Sequence, residues 1–164
     1  MQKMIIKNKS QYGFTLIELL VVVAIIGILA SVVLASLNSA RAKATDAVIK
    51  GTLSNARSQA ALYYDDNNKS YAGVCTTAGG INPMILNAAQ KLDPVSATVG
   101  INTDAFVYDA SGVFGAVVCH DDATTWAAIV SLKVPLTASA GWCVDSTGAS
   151  KEATALASGV TVCP

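Results

Sequence analysis

From Leu19 to Ala40 the chain carries no charged residue, and thirteen of its side chains there are Leu, Ile or Val. As a helix this run would measure roughly 33 Å, enough to cross a hydrocarbon core of about 30 Å. At about −0.3 to −0.6 kcal/mol each, the thirteen aliphatic residues favour insertion by roughly 4 to 8 kcal/mol, an upper figure because those values hold at the centre of a span. A secretory signal peptide fits poorly. Its apolar core is shorter and is followed by a small-residue cleavage site, whereas here the glycine precedes the run. The segment is therefore expected to stay in the mature protein. Glu18 stands at its lip, and an ionisable group there needs a named partner.

The apolar excess is local. The remaining chain has the composition of one ordinary domain, so the prediction is one small domain joined to a membrane-length segment. Three lysines precede the run, and Arg41, Lys43, Lys50 and Arg57 follow it with Asp46 among them. Counting positive flanks does not orient such a segment. Cysteine placement is more informative. Cys75, Cys119, Cys143 and Cys163 all lie after the run, which favours disulfides in an exported carboxyl-terminal domain. A zinc site competes weakly, since no Cys-x-x-Cys spacing occurs and His120 is the one histidine. Four cysteines allow three pairings. The favoured one joins Cys75 to Cys119, tying a loop to the sheet, and Cys143 to Cys163, closing the carboxyl terminus onto a strand.

The helical pattern continues past the apolar run. Ala40, Ala44, Ala47, Val48, Gly51, Ala56, Ala60 and Tyr63 recur at three- and four-residue steps, with Arg41, Asp46, Lys50 and Arg57 mostly off that face. No proline occurs before Pro83. One helix is predicted from about Thr15 to Tyr64, stopped by Asp65-Asp66-Asn67-Asn68, where acids oppose the dipole and asparagine tolerates a left-handed cap. Asn82-Pro83 opens a second, short helix to about Leu92. Strands are predicted at Ala105–Asp109, Phe114–Cys119, Trp126–Leu132, Gly141–Asp145 and Thr161–Cys163, with turns at Ser111-Gly112 and Ser146-Thr147-Gly148. The expected class is α+β: a long amino-terminal helix, membrane half plus amphipathic half, packed on a small antiparallel sheet.

Basic residues, then Gly13-Phe14-Thr15-Leu16-Ile17-Glu18, then the uninterrupted apolar run coincide in one stretch. Over about residues 7 to 40 this resembles the amino terminus of type IV prepilins and of the related pseudopilins of type II secretion. The resemblance implies cleavage between Gly13 and Phe14 by a prepilin peptidase on the cytoplasmic side, with N-methylation of Phe14 by the same enzyme. It divides the chain into a leader at 1–13, a transmembrane and filament-core helix at 14–40, and an exported pilin-like head at 41–164. It also implies the partners: other copies of the chain and related pilins, the peptidase, and an inner-membrane assembly platform. The precursor would wait as a single-pass inner-membrane protein, then enter an extracellular filament or a periplasmic pseudopilus. Many relatives have a proline in the apolar helix where this chain has Ala35.

The physics of Glu18 fits that role. Cleavage creates a cationic amine on Phe14, four residues from Glu18 along one helix, so the pair can form within a chain or between neighbours. Gly13 keeps the scissile bond accessible, and Gly27 allows close helix approach. Without the leader the side chains carry eight basic and eleven acidic groups, a net of −3, and no basic stripe supports nucleic-acid binding.

Weaker motifs have plainer explanations. His120-Asp121-Asp122 reads as a solvated turn before a metal site, and Asp65-Asp66-Asn67-Asn68 lacks the ordered spacing of a calcium loop. Trp126 and Trp142 read as core anchors. No catalytic constellation, metal or cofactor is expected. A structural subunit of a type IV pilus-like filament is the leading reading. The alternatives are a pseudopilin and a membrane-anchored extracytoplasmic binding module.

Overall fold

The computed structural model describes residues 13–95, 97–111 and 116–164. Helix α1 runs from Leu16 to Asp66 and α2 from Asn82 to Gln90. Five strands follow: β1 Gly100–Ile101, β2 Val117–Asp121, β3 Trp126–Ser131, β4 Gly141–Asp145 and β5 Ser150–Ala153. The chain divides into two compact units, residues 1–39 and 40–164.

In the first unit the described residues are helical from Leu16, and the large apolar side chains from Leu16 to Leu37 are between 41% and 79% exposed. Neither Gly27 nor Ala35 interrupts α1. With no proline, every residue there keeps its backbone N–H for the helix ladder.

The second unit is built on a sheet of order β1-β2-β3-β4-β5. Side chains alternate between its faces. Val117, Cys119, Ala128, Val130 and Val144 face a core shared with α1 and α2. Val118, Ala127, Ile129 and Cys143 face the other way, where Phe106, Leu156 and Cys163 cover them. Both faces are therefore buried, which explains why β3 reads as an unbroken apolar run. Gly141 opens β4 because the backbones crowd there: a Cβ would stand 2.6 Å from the Val130 carbonyl oxygen.

Several expectations are corrected. The sheet is mixed, not purely antiparallel, since β1 pairs with β2 in parallel. A parallel pair needs a crossover, and the chain between them contributes Phe106 and Tyr108 to the outer face. Ala105–Asp109 and Thr161–Cys163 are not strands. They cover the sheet: the Phe106 N–H bonds the Leu156 carbonyl at 2.9 Å. β5 has no counterpart among the expected strands, because Ser150-Lys151-Glu152 is a hydrophilic edge without alternation. Gly112 and Phe114, part of an expected turn and strand, lie outside the described residues, as does the expected leader before Gly13.

α1 ends as the sequence leads one to expect, with Asn68 at φ 52° and Lys69 at φ 60° in the left-handed region. Its buried face differs in the middle. Ala56 and Ala60 are buried, but Ala44, Ala47, Val48 and Gly51 are exposed, and the contact face runs through Asp46, Ile49 and Leu53. Asp46 is 5% exposed. Its carboxylate accepts the backbone N–H of Lys133 at 2.7 Å and of Val134 at 2.8 Å, just past the end of β3. A buried carboxylate is tolerable when backbone donors satisfy it. Lys50 is drawn to the same side, pairing with Glu152 of β5 at 3.5 Å and lying 4.5 Å from the Trp142 ring centre.

Asp46→Ala removes the acceptor for two backbone donors and should destabilise the second unit by about 1–3 kcal/mol. Urea unfolding of the full chain in detergent, followed by near-ultraviolet signals of the tryptophans, measures it. Asp46→Asn should recover part of the loss, because one amide oxygen still accepts.

Candidate functional site

The start of α1 is fixed by two side chains. Thr15 donates its backbone N–H and its hydroxyl to Glu18 Oε2, each at 2.9 Å. The Glu18 N–H donates back to Thr15 Oγ1 at 3.2 Å. This reciprocal arrangement is a capping box, which satisfies first-turn donors that no helix can satisfy internally. A negative side chain at this end also complements the helix dipole. The signal was present in the sequence: Thr15-x-x-Glu18 before an apolar run has the capping-box spacing. Glu18 therefore has a partner in the intact chain, Thr15, besides the amine expected after cleavage.

Gly13 and Phe14 lie outside the helix, immediately before the cap. Phe14 is 81% exposed, and among the described residues nothing stands within 4 Å of where a Gly13 Cβ would be. No described residue covers the peptide bond between them. Behind it, α1 is long and apolar enough to cross a membrane. Contiguous exposed apolar surface on this scale marks a membrane or protein contact.

The cap gives a direct expectation. Thr15→Val keeps the side-chain shape and removes the hydroxyl. Amide exchange at Glu18 in micelles should become about five-fold faster, the effect of losing a typical N-cap, while Thr15→Ser should leave it unchanged.

In the second unit, Cys75 is bonded to Cys119 and Cys143 to Cys163, the pairing favoured above. The bridges close loops of 44 and 20 residues, and each contributes about 3 to 4 kcal/mol in the chain-entropy account. The first joins the loop after α1 to β2, and the second fastens the carboxyl-terminal segment to β4. Asp145, 1% exposed, reinforces the second. Its Oδ2 accepts the Cys163 N–H at 2.8 Å. Its Oδ1 accepts the Thr147 N–H, the Thr147 hydroxyl and the Ala149 N–H at 2.8–2.9 Å.

Burial pushes the Asp145 carboxyl up, but hydrogen bonds from Cys163, Thr147 and Ala149 outweigh it and leave the pKa below its ordinary 3.8. A folded value below the unfolded one contributes stability above the ordinary carboxylate range, lost as pH falls through the lowered value. The melting temperature should therefore drop below about pH 4. Part of that drop should disappear in Asp145→Asn, whose neutral-pH melting temperature is lower. Circular dichroism between acid and neutral pH reads both.

The remaining sequence candidates belong to local structure of the second unit, and His120 is a buried residue of β2, not part of a solvated turn. Both His120 ring nitrogens meet carbonyl oxygens, those of Val160 at 2.9 Å and Asp104 at 2.8 Å. Asp121 accepts the Gly73 N–H, and Asp122 accepts from Thr124 and Thr125 in the β2–β3 turn. Asp65 pairs with Lys69 beyond the end of α1. Trp126 is buried in the core, and Trp142 packs against it.

Comparison with known proteins bears on the amino-terminal segment. The family described as the prokaryotic N-terminal methylation motif matches residues 8–34. The chain is 47% identical over 60 residues to the major component of the type IV wide pilus of Thermus thermophilus, covering 37% of this chain and 46% of that one. It is 36% identical over 101 residues to a fimbrial protein of Eikenella corrodens, covering 56% and 65%. A fimbrial protein of Neisseria meningitidis is 40% identical over 74 residues, covering 44% and 42%. The chain thus spans 42% to 65% of the length of these relatives. No solved structure matches it significantly. The resemblance to type IV prepilins read from Gly13 onward is therefore shown for the amino-terminal segment.

Proposed function

We propose that this chain is the precursor of a structural subunit of a type IV pilus-like filament, cleaved between Gly13 and Phe14 and N-methylated on Phe14. In this reading residues 1–13 are the leader, 14–40 form the transmembrane and filament-core helix, and 41–164 form the exported head. The observation that carries it is the cap at Thr15 and Glu18: it stands at the head of an uncovered apolar helix, inside the matched motif. The relatives named as pilus or fimbrial proteins support a pilus in preference to a secretion pseudopilus.

Cleavage would place a cation on Phe14, the residue before the one whose N–H Glu18 already holds. Opposite charges attract more strongly as water is excluded, so burial of these helices in a bundle strengthens the pair. It also makes an unpaired Glu18 costly. The carboxylate can meet the amine of its own chain or of a neighbour, and the neighbour pairing would set the axial register of the bundle. The peptidase and an inner-membrane assembly platform are the partners this route requires. The waiting precursor would sit in the inner membrane, with the disulfide-bearing head on its outer side.

Glu18→Ala tests the reading. The variant should remain in the membrane fraction and still lose residues 1–13, with filament yield falling at least about ten-fold, the scale of losing a buried charge partner. Mass spectrometry of the amino terminus and negative-stain counts of sheared filaments provide the two readouts. Normal filament yield, or an amino terminus other than Phe14 in the wild type, overturns it.

A further inference from the structure

Arg57, half-buried on α1 in the second unit, makes no ion pair or hydrogen bond among the described residues. A guanidinium carries five N–H donors and stays charged at any working pH. Holding it partly out of water without an acceptor carries a desolvation cost. Its Nη2 lies beside the β4–β5 turn, where a Cβ on Gly148 would stand 3.6 Å away. Helix and turn together border an open groove of about 430 Å³, lined also by exposed Ser54 and Ser58, by Tyr71 and by Ser146. The volume is in the range of small-ligand sites. The hydroxyls of Ser54, Ser58 and Tyr71 donate no hydrogen bond among the described residues, so the groove wall offers spare donors around one spare cation.

Asp145 borders the same groove. Its oxygens already accept four hydrogen bonds from Thr147, Ala149 and Cys163, which leaves Arg57 unpaired. Its negative charge offsets that of Arg57, and both effects scale with the charge of an entering anion, so geometry and not charge selects the ligand. A planar carboxylate matches the guanidinium fork in two parallel hydrogen bonds.

We propose that this groove is a carboxylate-binding site, with Arg57 as the bidentate anchor and Ser54, Ser58 and Tyr71 as the surrounding donors. The carboxylate has two sources: a free small organic acid, or an Asp or Glu side chain of a second copy in an assembled filament.

The test uses the full chain in detergent micelles, titrated with sodium acetate at constant ionic strength. The Arg57 Nε–Hε resonance and the Tyr71 amide should shift saturably in the millimolar range. Arg57→Gln should remove the acetate-dependent shift at Tyr71, and Arg57→Lys, which keeps the charge without the fork, should weaken it. Shifts no larger than those from sodium chloride, or a Tyr71 response that survives in Arg57→Gln, overturn the proposal. Phenylglyoxal labelling of Arg57 separates the sources. Acetate-dependent protection in both micelles and filaments points to free acids. Protection in filaments without added acetate points to the neighbouring copy. Labelling at one rate under all conditions overturns the site. The micelle titration decides the site even if no filament forms.

Discussion

The apolar side chains from Leu16 to Leu37 have no cover within the described chain. A soluble domain of this size cannot leave that much contiguous aliphatic surface in water. Two coverings meet the need, lipid or other helices of the same kind, and in either the backbone donors of the first turn have less water to bond. The Thr15–Glu18 box answers that constraint from within the segment. It closes the first turn with its own side chains, so α1 presents a satisfied end whichever covering it meets.

That closed end changes how Glu18 is understood. From the residues alone it is a costly lone carboxylate awaiting an amine. In the structure it already accepts two hydrogen bonds from Thr15. Processing would therefore offer the carboxylate a charged partner beside neutral ones, and assembly would choose among them. In the intact chain the Phe14 nitrogen is an ordinary amide and offers that carboxylate no charge.

Much of the fold was legible because its signals are local. An uncharged apolar run, the absence of proline before Pro83 and the acidic, asparagine-rich stop fixed α1 to within two residues at each end. β4 is dense in apolar residues and bounded by turns, and its limits match the reading. What failed was non-local. Asp46 reads as a surface charge until the amides of Lys133 and Val134 arrive from the distant end of β3. Counting it as polar rotated the expected helix face away from Ile49 and Leu53. Phe106 and Cys163 read as strand residues because they are apolar or bonded to a strand, but they serve as covers. β1 and β5 pair through their backbones and carry little side-chain signal. In the amino-terminal segment the motif was legible from Gly13 to Glu18, whereas the capping role of Thr15 lies in a spacing that the apolar run beside it overshadows.

β1 and β5 are the edges of the sheet, and both are poor templates for further pairing. β1 is two residues long, and β5 places exposed Ser150 and Lys151 along its rim with Glu152 engaged by Lys50 and Thr137. Short edges and edge lysines resist strand-to-strand fusion. Heads with such rims can be brought to very high local concentration without joining into a continuous sheet. Any ordered contact between them must then come from their side chains and helix faces, and can be reversed without unfolding.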